Sequence, residues 1–554
     1  MTEATRQVPT DLDDDGVPRA RLVASPVDNK QRAEVTAPPP RVIPVFFLPG
    51  IMGSNLKAKA GHPLLAPGES VWRPPNGIIA GLREVRKWSK RGPADRQMVL
   101  GPDLAEVDDS GTYEARDSLH GTQVPKDCGW GEVHWDSYGK VLNHLHRMLK
   151  YIFARGGWGG KGEIKPAGFW PGIIEADRES WGAAGSPALT EEDLKQLANA
   201  QYPVYACGYN WLQSNEKSAD IVEARIAKVI KEWNDKPEYR CDKAILVTHS
   251  MGGFVARAAA KKNPAQILFV FHSVQPAVGA PEAYRRMVCG APGADPSDGW
   301  IKRKGDEAFA TIIGQDTTQT TPVLACAPGP MELLPNHLYP GKWLYVGLSG
   351  AGGRTTPTLE LPDGDIYDLY REARAWYRLV DPNFVDPAQM YADYKDGPMS
   401  KVRDAIKQAE RFHKEVMGNY YHTPTYAQYG SDRGYPTVGA FGWVTDHPAG
   451  FALTEAQLRR PEAWVRQTTG EAELHLRLKH NHQSVVRDIR FRPTGPDAPG
   501  DGTVPYQSGR APEGQPGVRG VFRTQGHDHQ GSYEDTRVLQ LMCYLIARTV
   551  KELA

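Results

Sequence analysis

Residues 42–48, "VIPVFFL", are apolar at almost every position. A run like this suits a strand covered on both faces, as in a parallel sheet. Three more runs of the same kind follow: "YPVYACGYNW" at 202–211, "AILV" at 244–247 and "QILFVFHSV" at 266–274. Between and after them the period changes to that of amphipathic helices, over about 218–233 and 252–262. Strand then helix, repeated, predicts an α/β chain with a mostly parallel, doubly wound sheet. Two long stretches break the rhythm. Residues 57–200 are rich in Gly, Pro and Trp, and residues 284–418 close on a helical pattern at 400–417 whose apolar face carries Val402, Ala405, Ile406, Ala409, Phe412 and Val416. Both read as insertions into one domain spanning 41–554. Residues 425–430 and 437–444 read as short strands, and 535–553 as a closing helix. Residues 1–40 are polar, end in "APPPR" and read as a disordered tail.

Composition narrows the function more than the fold. The 554 residues carry 66 Lys+Arg against 66 Asp+Glu, a balance that does not invite nucleic acid. Six cysteines without a CxxC pair argue against structural zinc and a disulfide framework. The start of the chain shows no apolar leader run, and no stretch reaches ~18 consecutive apolar residues. A soluble chain, cytoplasmic as synthesised, is the expectation, with export by a route needing no cleaved signal left open. Asp11, Asp13, Asp15 and Gly16 start like a calcium loop, but Leu22 stands where the closing glutamate belongs. Asp363, Asp365 and Asp368 read as a turn leading into a helix, and the basic run at 83–91 as a solvated charged face first and a contact for anionic headgroups second.

The candidate chemistry starts at "AILVTHSMGGFVARAAA", residues 244–260. An apolar strand stops at Thr248-His249-Ser250-Met251-Gly252, and an alanine-rich helix starts at once. A serine at a sharp strand-turn-helix is the nucleophile elbow of hydrolases, with G-x-S-x-G as its usual pattern. The same residues also suit an ordinary turn with Ser250 as helix N-cap. Three further motifs add to it. "LPGIMGS", after the first strand, can offer the Ile51 N–H to an oxyanion, beside that of Met251. "GDGTVP" places Asp501 in a tight turn, and "QGHDHQGSYED" offers His527 or His529 as general base. Each has a bland reading: a Gly-Pro turn, an Asp-Gly turn, a pair of loop histidines. The order Ser, Asp, His is that of α/β-hydrolases.

Together these pieces resemble the lecithin:cholesterol acyltransferase and lysosomal phospholipase A2 family, and equally bacterial lipases related to the GPI inositol-deacylases. The resemblance rests on "VFFLPGIMGSNLKAK", "YACGYNWLQSN", "LVTHSMGGFVAR", "FVFHSVQPAVGAPEAY", "MELLPN", "TYAQYGSD", "GDGTVPYQS" and "GHDHQGSYED". It implies an α/β-hydrolase with Ser250 as nucleophile, Asp501 as acid, and His529 rather than His527 as base. Ile51 and Met251 form the implied oxyanion hole, no cofactor or metal is needed, and the insertions become cap and lid elements. The implied activity is hydrolysis of a lipid ester, a phospholipid foremost, at a membrane surface. Acyl transfer to an alcohol through the same residues, or a catalytically dead lipid- or partner-binding module, are the alternatives. A large lipase core without a signal peptide also resembles the phospholipase toxins that bacteria inject into rivals, which implies an immunity or secretion partner. Three positions depart from the family: Thr248 replaces a small residue, Asn210 an aspartate, and Gln275-Pro276-Ala277 a Thr-Pro-His turn. The aromatic residues of the first insertion, Trp130, Trp135, Trp158, Phe169, Trp170 and Trp181, are expected to pack a small core of the cap itself or to meet lipid.

Overall fold

A computed structural model of the chain describes residues 39–74, 85–114, 123–155, 163–291, 310–350, 355–446, 453–480 and 483–553, with four short strand segments ahead of them. Its central sheet has six strands: β1 (Val45–Leu48), β2 (Val204–Ala206), β3 (Ala244–His249), β4 (Ile267–Ser273), β5 (Thr425–Gly430) and β6 (Val518–Thr524). They lie in the order β2-β1-β3-β4-β5-β6, and each neighbouring pair is parallel. Four helices cover it: α1 (Trp135–Lys150), α2 (Asn215–Asn234), α3 (Gly252–Lys262) and α4 (Thr536–Leu553).

The unbroken apolar runs are explained by the two faces. Val45, Phe47, Ile245, Val247, Phe269 and Phe271 pack with α1 and α4. Phe46, Leu48, Ala244, Leu246 and Val270 pack on the opposite side with α2 and α3. Alternate side chains point to opposite faces, and both faces are dry, so no polar position interrupts the run. The alanines of α3 are all buried, and the small side chains let the helix lie close to the sheet.

The structure corrects the sequence reading at several places. Trp130, Trp170 and Trp181 form neither a separate cap core nor a lipid surface: they are buried in the same cluster as β1, β3, α1 and α4. Trp135 is partly buried, Phe169 is exposed, and Trp158 lies outside the described residues. Among the described residues of the basic run Trp88 alone is buried, beneath the guanidinium groups of Arg91 and Arg96, while Arg86, Lys87 and Lys90 stay exposed, so the charged face is solvated as expected but is anchored by the indole. Most of residues 1–40, including Asp13, Asp15 and Gly16, lies outside the described residues, although Thr5–Pro9 pairs in parallel with Arg32–Thr36 and Asp11–Leu12 pairs antiparallel with Pro18–Arg19.

A second six-stranded sheet went unforeseen. It orders Thr355–Leu361, Leu344–Ser349, Phe441–Thr445, Gln483–Pro493, Ala472–His480 and Ala463–Arg466 side by side. The pair Leu344–Ser349 and Phe441–Thr445 is parallel, and the other pairs are antiparallel. Its core collects Trp343, Trp376, Phe441, Trp443 and Tyr284. The helix read at 400–417 is present as Met399–Arg411 continued by a π-turn, Phe412–Met417.

Candidate active site

All the candidate residues lie beyond the carboxyl ends of the parallel strands, where open α/β sheets place their ligands. β3 ends at His249, Ser250 takes φ +51, and α3 starts at Gly252. A left-handed serine between a strand and a helix is the local geometry of an elbow. The small residues follow from close approach. A Cβ on Gly252 would stand 2.5 Å from the carbonyl oxygens of both Leu48 and Pro49, and one on Gly253 2.7 Å from the Gln275 side chain. Thr248 is tolerated because its side chain meets a partner instead of crowded backbone: its hydroxyl bonds His272 Nδ1 at 2.9 Å.

The structure brings Ser250, His529 and Asp501 into one hydrogen-bonded series. Ser250 Oγ lies 2.8 Å from His529 Nε2, and His529 Nδ1 lies 2.8 Å from Asp501 Oδ2. The other oxygen, Oδ1, accepts from the N–H groups of Thr503 at 3.0 Å and Val504 at 2.7 Å. Burial alone would raise the Asp501 carboxyl, but His529 and those two N–H groups hold it below its usual value. The carboxylate therefore stays ionised although it is 1% exposed. Gly430, at the end of β5, makes room for it, since a Cβ there would stand 2.8 Å from Asp501 Cβ. His527 turns elsewhere: its Nε2 faces Thr524 Oγ1 at 2.8 Å and Gln428 Nε2 at 3.2 Å. An imidazole held between a hydroxyl and a buried carboxylate can take the hydroxyl proton and carry the resulting charge.

The loop after β1 presses against this series. A Cβ on Gly50 would stand 3.0 Å from Ser250 Cβ, and Met52 has φ +63. Trp72 Nε1 donates to Met52 O at 2.7 Å, and the Tyr209 hydroxyl donates to Pro49 O at 2.8 Å. Among the described residues no acceptor is bonded to the N–H of Ile51 or of Met251. Asn210 is explained by its acceptors: its amide donates to Pro102 O at 3.0 Å and Ala105 O at 2.9 Å, which an ionised aspartate could not do.

Two residues of the site were not singled out from the sequence, Tyr138 and His249. Tyr138 hydroxyl lies 3.0 Å from His249 Nδ1. His249 was visible beside Ser250, but nothing in one dimension links it to a tyrosine 111 positions away.

No family model matches the chain, and no curated protein matches it. Among solved structures, a chain in the Tle4–Tli4 complex superposes with a TM-score of 0.71 at 28% identity, over 92% of this chain and 99% of that one. That likeness extends to nearly the whole molecule, so the two share one architecture. Phospholipase PlaB from Legionella pneumophila aligns at 10% identity over 58% of this chain and 85% of that one, and its TM-score of 0.14 carries no argument.

Proposed function

We propose that the chain is a serine-dependent lipolytic acyl hydrolase of the α/β-hydrolase type, acting on phospholipids. The observation that carries this reading is the unbroken series from Ser250 Oγ through His529 to Asp501, each link 2.8 Å, at a left-handed turn between β3 and α3. Ser250 Oγ attacks the ester carbonyl while its proton passes to His529 Nε2. Asp501 stabilises the imidazolium, and the N–H groups of Ile51 and Met251 take the oxyanion. The tetrahedral intermediate collapses to acyl-Ser250, and His529 returns the proton to the leaving alcohol. Water, deprotonated by His529, then releases the fatty acid. The protein groups complete this cycle without a cofactor.

The domain assignment belongs to the same reading: a hydrolase unit over 41–554, with the parts of about 57–200 and 284–418 that do not pack on the central sheet, as α1 does, acting as cap and lid. Delivery to a rival bacterium, with an immunity protein as partner, is supported by the toxin-like organisation of the sequence and by the likeness to a chain solved in complex with a second protein, Tli4. The test is purified protein on a phospholipid panel, with product analysis in the presence of an added alcohol. Fatty acid release by the wild type and loss of at least about 10³-fold in kcat for Ser250→Ala is the expected result. Undiminished hydrolysis by Ser250→Ala would refute the assignment, and acyl ester formation in place of fatty acid would convert it to a transferase.

A further inference from the structure

His249 is a buried titratable group that the proposed reaction does not use, and it touches parts of the site drawn from distant stretches of the chain. It is 2% exposed. Its Nε2 lies 2.9 Å from the carbonyl oxygen of His529, and its Nδ1 lies 3.0 Å from the hydroxyl of Tyr138. That hydroxyl accepts from the Gly50 N–H at 3.0 Å. A Cβ on Gly50 would stand 2.8 Å from His249 Nδ1, so the loop lies directly against the ring.

The two ends of this chain of bonds fix every proton within it. A carbonyl oxygen only accepts, so His249 carries its hydrogen on Nε2. Nδ1 of the neutral ring is then an acceptor, and the Tyr138 hydroxyl donates to it. The Gly50 N–H only donates, and it fills a lone pair on the tyrosine oxygen. Burial and the neighbouring His529 push the His249 imidazolium down to about 3, so the ring stays neutral and does not switch direction. The Gln530 side chain, next to His529, also approaches the same tyrosine. Phe47 of β1 packs on both Tyr138 and Tyr533, and the Tyr533 hydroxyl donates to Thr248 O at 2.9 Å, which closes the surroundings of the relay.

We infer that Tyr138 and His249 are positioning residues that lock the loop bearing Ile51 to the loop bearing His529, so that oxyanion donor and base hold one geometry. The inference rests on the reading of Ser250 as nucleophile. No proton of the reaction passes through the relay; it acts by holding the backbone on both sides of Ser250. A misplacement of about 1 Å in such a site costs on the order of 100-fold in rate. The first insertion, which supplies Tyr138 through α1, is therefore part of the site's frame.

Two measurements test this. Tyr138→Phe keeps the ring and removes the central hydroxyl. In the variant shown by its circular dichroism melt to be folded at the assay temperature, kcat is expected to fall about 10- to 100-fold, with KM within about threefold. Labelling of Ser250 by a fluorophosphonate should slow in parallel. A kcat within twofold of wild type, beside an inactive Ser250→Ala, overturns the relay. An active Ser250→Ala overturns the serine reading instead. The second measurement needs no variant to be active: ¹⁵N spectra of histidine-labelled wild type should show His249 as the neutral Nε2–H tautomer from pH 5 to 9. An Nδ1–H tautomer, or titration within that range, also overturns it.

Discussion

The central sheet and the second sheet are built on opposite terms. At the carboxyl edge of the central sheet the backbone is crowded and twisted. Three of the four non-glycine residues with left-handed φ among the described residues, Met52, Ser250 and Val274, stand there, and Gly50, Gly252 and Gly430 have no room for a Cβ. Strain of about 1–3 kcal/mol per such residue persists only where the surroundings over-determine the conformation. The second sheet is built mostly of antiparallel hairpins over an aromatic core, and although Gly347 and Gly442 also lack room for a Cβ, none of the left-handed non-glycine residues falls in its strands. Trp443 packs edge-on against Phe441 at 4.9 Å and Trp376 at 5.0 Å, and its indole N–H donates to Gly470 O at 2.8 Å. Its outer face carries exposed ion pairs such as Arg490–Glu473, each worth little. The contrast teaches where each kind of change should register: in rate at the first edge, in stability at the second.

The sharpest break in that contrast is at Asp501. Asp501→Asn keeps Oδ1 for the N–H groups of Thr503 and Val504 but offers His529 Nδ1 no charge and an ambiguous partner. In the proposed mechanism kcat falls about 10³- to 10⁴-fold, the scale on which a wrong histidine tautomer costs a triad enzyme. The melting temperature should change little. A steady-state assay beside a thermal melt checks both, and a large drop in melting temperature with unchanged kcat would reverse the assignment of this edge.

Trp443→Ala is the mirror-image change. It removes a fully buried indole, leaves a cavity and strands the Gly470 carbonyl. Stability is expected to fall by about 3–5 kcal/mol, seen as a lower melting temperature. Activity per folded molecule well below the melt should stay within about twofold of wild type. A selective loss of kcat at full folding would mean that the second sheet reaches into the reaction.

The same contrast explains what could be read from the sequence. The parallel strands announced themselves because both faces are buried and the apolar runs are unbroken. Ser250, Asp501 and His529 were recognisable because each sits in a tight turn whose glycines and order in the chain are visible in one dimension. The relay was not, because it joins residues from α1, β3 and the loop before α4 whose only relation is spatial. The second sheet was missed for a different reason. Leu474, Leu476 and Leu478 are buried in strict alternation along Ala472–His480, a legible half-buried strand. It pairs with its sequence neighbours Ala463–Arg466 and Gln483–Pro493, but the sheet is completed through Phe441–Thr445 by Leu344–Ser349, which lies inside a stretch that reads as insertion, and alternation within one strand does not announce that long-range pairing. Thr248 and Asn210 looked like departures from a pattern and are instead matched to His272 and to two carbonyls.

The smallest expected effect lies where the two regions join. Glu332 is wholly buried, and its carboxyl accepts from Ser214 Oγ at 2.6 Å, Asn215 N at 2.8 Å and Asn215 Nδ2 at 2.6 Å, at the start of α2. Its own backbone oxygen accepts from His413 Nε2 at 2.7 Å. Burial pushes the carboxyl up to about 8 despite those donors. The folded protein thus keeps a proton that the unfolded chain releases near its ordinary value of 4.5. Where the folded state binds more protons, stability falls as pH rises. The contribution is complete below about 4.5, declines through the interval up to about 8, and is flat above it. Glu332→Gln keeps a donor and an acceptor at the same place and cannot ionise. The wild type should therefore lose stability relative to the variant between pH 5 and pH 9, by at most about 4 kcal/mol. Apparent melting temperatures of the two proteins across that range measure it. Curves that run parallel would show that Glu332 is ionised in the folded protein, with its three donors outweighing burial. Curves that converge as pH falls would show that the joint between the two sheets is held by a neutral acid.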